Sequence, residues 1–295
     1  MENNGVRFDE PRLVEGASFP VSVMELRRLH VRSYDKTDDM VTLSIEDLML
    51  YVFDRQKLKP VSEVVIVFEI VRLTLKSMNA GGSCSRGWIE NIGVAGSSAL
   101  LVLEAILRRD KDLDIRGRWT EDLNKWQSGD VDVFVGGRWG SSEANFFRFA
   151  RRFLRHVKLV GKSKGHAFEC VEHYYHRYAF PNTRIKIVDI HLADLNVNIS
   201  LVQTPNNRNM KDVIDSFDID VAKVIYNPTT GLLHAPLSTL AGVDSGNASV
   251  KCFEMDKDFP SEFQVRNASS SLRRMRKYGQ RGYAFSEYMS FSMSE

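Results

Sequence analysis

Cysteine is scarce in this chain, and long uncharged apolar runs are missing. Its three cysteines, Cys84, Cys170 and Cys252, are odd in number and far apart. That excludes a disulfide framework and fits free thiols in a reducing compartment. The most apolar stretch, VSEVVIVFEIVRLTL, is broken by Glu63, Glu69 and Arg72. It is too short and too charged to cross a bilayer, so no membrane partner is expected. The opening residues, MENNGVRFDEPRL, lack a basic stretch followed by an apolar one. The expected location is therefore cytoplasmic or nuclear, not secreted. A charge of one sign is also missing: 40 Lys and Arg against 38 Asp and Glu leave a net +2. Any basic surface must then be local. No Gly-x-Ser-x-Gly elbow, Walker lysine loop or Rossmann glycine fingerprint occurs, and there are no repeats or low-complexity tracts.

What remains is an ordinary globular composition, 43% apolar and 26% charged over 295 residues, enough for a sizeable core. Periodicity predicts alternating strands and helices. VMELRRLHV (23–31) suits a short strand or helix. SIEDLMLYVFDRQ (44–56) reads as a helix capped by Ser44, and 62–78 as a second helix. NAGGSCSRG (79–87) is expected as loop. In WIENIGVAGSSALLVLEAILRRD (88–110) a short strand ends in glycine and a helix follows. Residues 111–128 suit loop or partial helix. SGDVDVFVGG (128–137) is a strand. SSEANFFRFARRFLRHVKLV (141–160) is an amphipathic helix capped by Ser141 or Ser142. Its apolar side carries Phe146, Phe149, Ala150, Phe153 and Val157, and its basic side Arg148, Arg151, Arg152, Arg155 and Lys158. Strands are expected at 183–192 and 196–204, joined at Ala193–Leu195. A short helix at NMKDVIDSF and a strand over 217–227 follow. GLLHAPLSTLAGVDSG reads as loop and helix, and SSLRRMRKYGQRGYAF (270–285) as a basic helix with an aromatic end.

Three features carry chemistry. VAGSSAL (94–100) is a small-residue turn opening a helix. Gly96 lets the backbone turn there, and the amides of Ser97 and Ser98 lie where free N–H groups and the helix dipole attract phosphate. Asp130 and Asp132 share one face of an otherwise apolar strand, roughly 7 Å apart along the chain. Two carboxylates about 6 Å apart repel by roughly 3 kcal/mol at an effective dielectric near 20, and by under about 1 kcal/mol in water. Either that face is wet or cations lie between the acids. A third carboxylate, from Asp218 or Asp220 on a later strand, would favour a divalent ion. Hard oxygen donors with open positions suit Mg²⁺ (or Mn²⁺), which takes the rest of its shell from water and substrate phosphates.

On these residues the chain resembles the polymerase-β-like nucleotidyltransferase superfamily. VAGSSAL resembles its Gly-Ser turn, SGDVDVFV its paired-acid strand and SFDIDVAKVIYN its third-acid strand. The tail RMRKYGQRGYAF is similar to that of a subset found in large DNA viruses, protists and fungi. The likeness covers about 85–285, and an insertion at 111–127 accounts for the long span between the turn and the acids. The resemblance implies an α/β (α+β) nucleotidyltransferase-fold mixed sheet with packed helices, spanning 85–295 with its basic C-terminal segment, behind a helical N-terminal extension over 1–84. It implies transfer of a nucleoside monophosphate from an NTP, ATP among them, to RNA, a protein or a small molecule. Asp130, Asp132 and Asp218 are then the catalytic, metal-binding acids. The Phe-Asp pattern ranks Asp218 ahead of Asp220. Gly96, Ser97 and Ser98 would hold the triphosphate.

Plainer readings stand beside these. The paired acids also suit a solvated edge strand, and the turn an ordinary helix cap. The fold is also compatible with an inactive nucleic-acid-binding or interaction module. Gly-Gly-Ser in NAGGSCS is a decoy, since the polar CSRG follows where an apolar helix is needed. The arginines of 148–158 suit a polynucleotide backbone or a solvated face. Arg273, Arg274, Arg276, Lys277 and Arg281 with Tyr278 and Tyr283 suit phosphate contact with base stacking, or a helix packed back on the sheet. His166, Cys170, His173 and His176 have helical spacing, but without paired knuckles they read as a helix with surface histidines, not a zinc site.

Overall fold

The structure is a computed structural model and describes residues 32–34, 40–45, 59–80, 91–108, 130–165, 172–180, 183–195, 197–204, 209–250 and 262–285. In chain order its elements are β1 (Arg32–Tyr34), β2 (Met40–Ser44), α1 (Lys59–Ala80), β3 (Ile92–Ala95), α2 (Ser97–Arg108), β4 (Asp130–Val135), α3 (Glu143–Ser163), β5 (Glu172–Phe180), β6 (Thr183–Leu192), β7 (Val197–Gln203), α4 (Met210–Asp215), β8 (Ile225–Asn227), β9 (Leu232–Pro236), α5 (Leu237–Ser245), β10 (Asn247–Ala248), α6 (Glu262–Gln280) and β11 (Ala284–Phe285). Nine strands form one sheet in the order β1-β2-β9-β8-β3-β4-β7-β6-β5. Among the described residues of this sheet only β4 and β7 run parallel, its other neighbours being antiparallel; β10 and β11 pair in parallel apart from it. The architecture is the expected mixed α/β sheet with packed helices.

Strand alternation separates the two faces of the sheet. Val131, Val133 and Val135 of β4 are buried. Their register partners Ile199 and Leu201 on β7, and Ile190 and Val188 beyond them on β6, point the same way. This face carries the helices: α1 packs on α2, α3 and β7, α2 on β4, and α3 on β6. α3 shows why the sequence folds so. Phe146, Phe149, Ala150, Phe153 and Val157 recur at helical spacing and are all buried. Each fully buried phenylalanine contributes roughly 1.5–3 kcal/mol. Ser142 caps this helix, accepting from the Asn145 amide. Arg152 donates from Nη2 to the Met78 carbonyl at 2.5 Å, placing a cation at the negative end of α1. Across α1 and β8, Phe68 and Tyr226 stack at 4.6 Å, and burial pushes the Tyr226 phenol pKa up.

Residues 40–45 and 59–80, within the stretch 1–84 assigned by sequence to an N-terminal extension, pack with this body. β2 pairs with β9 in the same sheet, and Val64, Phe68, Val71 and Met78 of α1 lie in the same core. Ser44, expected as a helix cap, is the last residue of β2; residues 46–58, 81–90 and 109–129 lie outside the described residues. So does 23–31, the expected short strand or helix.

Several local expectations are corrected. The helix read into GHAFECVEHYYH is strand over Glu172–Phe180, so His173 and His176 do not have helical spacing. Its aromatic-rich sequence favours a pleated surface over a helix. His166 and Cys170 lie outside the described residues. Residues 232–236 form β9 where loop was expected. The strand expected over 217–227 is reduced to Ile225–Asn227, preceded by a bridge at Ile219 and a 3-10 turn at Asp220–Ala222. The Asp220 carboxylate is the physical cause. It accepts from the Val221 amide at 2.7 Å, the Ser249 amide at 2.8 Å and the Ser249 hydroxyl at 2.9 Å. Such side-chain bonds to backbone compete with a strand ladder.

Candidate active site

The face opposite the helices changes character along its length. β4, β7 and β6 lay side chains across it in three rows. Phe134, Val202 and Ile187 make an apolar row. Asp132, Ser200 and Asp189 make the next, and Asp130, Asn198 and His191 the last. The polar rows are bonded crosswise. Ser200 donates its hydroxyl proton to Asp189 Oδ1 at 2.6 Å. Asn198 donates from Nδ2 to Asp130 Oδ1 at 3.1 Å. Its carbonyl accepts from His191 Nδ1 at 2.7 Å, which places the imidazole proton on Nδ1. Asp130 is exposed and Asp132 half-buried, so the repulsion between them is damped by water.

The Gly-Ser turn lies against this polar end. β3 pairs Ala95 with Asp132, and the chain turns at Gly96 with φ +85°. That left-handed conformation is why glycine stands there. A Cβ at Gly96 would sit 3.6 Å from Asp132 Oδ2. The Gly96 carbonyl accepts the first helical bond of α2, from Leu100 at 3.0 Å. The amides of Ser97, Ser98 and Ala99 therefore precede the helical ladder and form its positive end. The Ser98 hydroxyl is buried, with no hydrogen-bond partner among the described residues. The structure thus brings Gly96, Ser97, Ser98, Asp130 and Asp132 together at one end of the sheet.

Asp218 is placed differently. Its Oδ2 accepts from Ser271 at 2.5 Å and from Arg274 Nη2 at 2.7 Å and Nε at 3.1 Å. It anchors α6 to the body. Among the described residues, no three Asp, Glu, His or Cys side chains converge closely enough to hold one metal ion. The residues present fit a two-carboxylate site: two hard-oxygen acids, with Ser200 and Asn198 beside them, leave open positions for water and phosphate.

The tail motif serves to dock α6. The Gly282 amide bonds to the Gly279 carbonyl and the Tyr283 amide to the Tyr278 carbonyl, with Gly282 at φ +94°. This paired C-terminal motif requires a left-handed residue, and it brings the first residue beyond the glycine against the last turn. Tyr278 and Tyr283 accordingly meet edge to face at 6.1 Å, and each is only 4% exposed. Neither ring faces solvent for base stacking, so the expectation that this segment packs back on the body is the one observed. Tyr283 donates to the buried Glu104 of α2, and Arg281 lies over the Tyr278 ring at 5.2 Å. The tail thus reaches the same helix that the Gly-Ser turn opens.

The electrostatics tie α6 to the acids. Burial pushes the Tyr278 phenol up to about 12; Asp132 and Asp218 add to this, while Arg281 and Arg274 act against it. Lys277 keeps solvent contact, yet crowding around its ammonium and the neighbouring Arg281 lower its pKa, with Asp132 and Asp130 acting the other way. Lys277 of α6 therefore lies within electrostatic range of the acid pair. Sequence reasoning overlooked Asn198, Ser200, Asp189, His191 and Glu104. The signal for the first four was the period-2 polar alternation in VDIH and NVNIS.

No protein-family model matches the chain, and no curated protein matches it. Among solved structures it is similar to the Thermotoga maritima CCA-adding enzyme in complex with tRNA, at 12% identity and a TM-score of 0.44, over 83% of this chain and 43% of that one. It is similar to a CCA-adding enzyme in complex with CTP at 12% identity and a TM-score of 0.45, over 83% and 44%. The chain spans less than half the length of either protein.

Proposed function

We propose that this protein transfers a nucleoside monophosphate from an NTP to an acceptor hydroxyl. The observation that carries the reading is the close approach of Gly96 to the Asp132 carboxylate, where β3 pairs Ala95 with Asp132, with Asp130 beside it on the same face. A helix N-terminus that attracts phosphate, set against two carboxylates that repel it, calls for a divalent ion between them. Asp130 and Asp132 would hold Mg²⁺ or Mn²⁺, which when bound would offset the charge of the triphosphate and of the leaving pyrophosphate. The amides of Ser97 and Ser98 orient the phosphates, and Lys277 adds a positive charge from α6. The acceptor oxygen attacks the α-phosphorus, the bond to the β-phosphate oxygen breaks, and pyrophosphate leaves. The hydroxyl proton passes to a carboxylate of this face. Asp218, the third acid of the family resemblance, enters as the residue that pins α6, and with it Lys277, over the pair. To act as a metal ligand it would have to exchange Arg274 for the ion.

The test is incubation with α-labelled NTPs and Mg²⁺ or Mn²⁺, with and without RNA. Label is expected in a macromolecule or small acceptor. Asp130→Asn and Asp132→Asn should each lower the rate by on the order of 10²-fold or more. Transfer that survives both changes would contradict the assignment. No transfer under any condition would leave a binding module.

A further inference from the structure

The helical face carries a second feature that transfer chemistry does not use. On α3 the side chains of Arg148, Arg151, Arg155, Lys158 and Lys162 are exposed. Their spacing of three, four, three and four residues puts them on one stripe, about 21 Å long at 1.5 Å per residue. Six Lys and Arg against Glu143 alone give α3 a charge of +5, so the rest of the chain carries −3 of the total +2. The basicity is concentrated here. Glu143 is paired with Lys186 at 3.1 Å. Among the described residues no acid pairs with the five stripe cations. Like charges three and four residues apart destabilise a helix, so folding alone does not select this pattern. The field reaches the flank: burial, then Arg152 and Arg155, lower the pKa of His156. Leu159 stands within the stripe at 64% exposure.

We infer that this stripe docks the phosphodiester backbone of a polynucleotide, on the side of the sheet away from Asp130 and Asp132. Regularly spaced cations without intervening acids suit a polyanion of repeating charge, which they bind by releasing its counterions. An anionic membrane is the less suitable partner. The apolar side of α3 is packed in the core and unavailable for insertion, leaving only Leu159 to enter lipid. The surface binds by charge and reads no base sequence. It stands independently of the proposed transfer reaction.

The experiment is anisotropy of labelled 30-nucleotide RNA and DNA single strands across a salt series, using the full chain. Five contacts predict that log K falls against log salt with a slope of about −3.5. The triple variant Arg151→Gln, Arg155→Gln, Lys158→Gln should weaken binding at least tenfold at low salt and make the slope shallower by about 2. These residues are exposed, and circular dichroism with thermal melting verifies the fold. If the triple variant fails to fold, the pair Arg148→Gln, Lys162→Gln should make the slope shallower by about 1.4. Dependence of both RNA and DNA binding on the stripe marks a backbone site, and dependence of RNA alone marks one that also reads the 2′-hydroxyl. Unchanged affinity and slope would overturn the inference. So would stripe-dependent binding to phosphatidylserine vesicles without binding to either strand. Asp130→Asn with Asp132→Asn should leave polynucleotide binding intact, so failure of the transfer reading and failure of this one are distinguishable.

Discussion

The chain contains two Asp-x-Asp sequences of equal spacing with different physical fates. Asp130 and Asp132 alternate with buried valines along β4, so both point to the face away from the helices. Asp218 and Asp220 flank Ile219 where no strand runs. Asp218 is tied to Ser271 and Arg274, and Asp220 to Val221 and Ser249. The first pair lies at a solvent-reaching sheet end beside a helix N-terminus. The second holds α6 and a turn in place. Spacing alone does not set what an Asp-x-Asp pair faces; its context in the sheet does.

That contrast is open to attack in stability measurements. Asp218→Asn removes the charge facing Arg274 while keeping the shape. Because Arg274 is partly solvated, the expected loss is about 1–2 kcal/mol, read from the denaturant midpoint. Asp130→Asn, at an exposed position, should stay within about 0.5 kcal/mol of the parent. Equal losses in both would erase the distinction between an acid that anchors α6 and one exposed at the sheet end.

A smaller effect joins the two pairs. Burial above all pushes the Tyr278 phenol up to about 12, and Asp132 and Asp218 both add to it. Its pKa is raised above the ordinary value near 10, so its contribution to stability is full below pH 10. It is lost as pH rises through about 12, because the unfolded chain gives up the proton first. Asp132→Asn and Asp218→Asn should each lower the Tyr278 midpoint, followed by tyrosinate absorbance. A midpoint unmoved by either change would separate α6 from the acids.

The helical face was legible because burial there is simple. In α3 the five apolar positions at helical spacing are all buried, and β6, its short turn and β7 lie where their sequence pattern puts them. Legibility failed where polar side chains decide the backbone. Asp220 captures amides and ends a strand that its apolar neighbours would continue. At 172–180 the histidine spacing suggested a helix, while the intervening tyrosines favoured strand. In the tail, tyrosines that suited base stacking are buried, because Gly282 turns the chain back and brings Tyr283 onto Tyr278. The paired acids and the turn could be named from sequence as candidates. Their neighbours Asn198, Ser200, Asp189 and His191 showed in the sequence only as polar alternation, and the register of three strands is what sets them in rows beside the acids.

Whether Asp130 and Asp132 hold a metal for the triphosphate is read from calorimetric titration of an NTP with and without Mg²⁺ on four proteins: the parent, Asp130→Asn, Asp132→Asn and Asp220→Asn. Mg²⁺-dependent binding is expected in the parent and in Asp220→Asn, and its loss in both variants of the β4 pair. Metal-independent binding, or binding that survives Asp132→Asn and disappears with Asp220→Asn, would contradict that role of the pair.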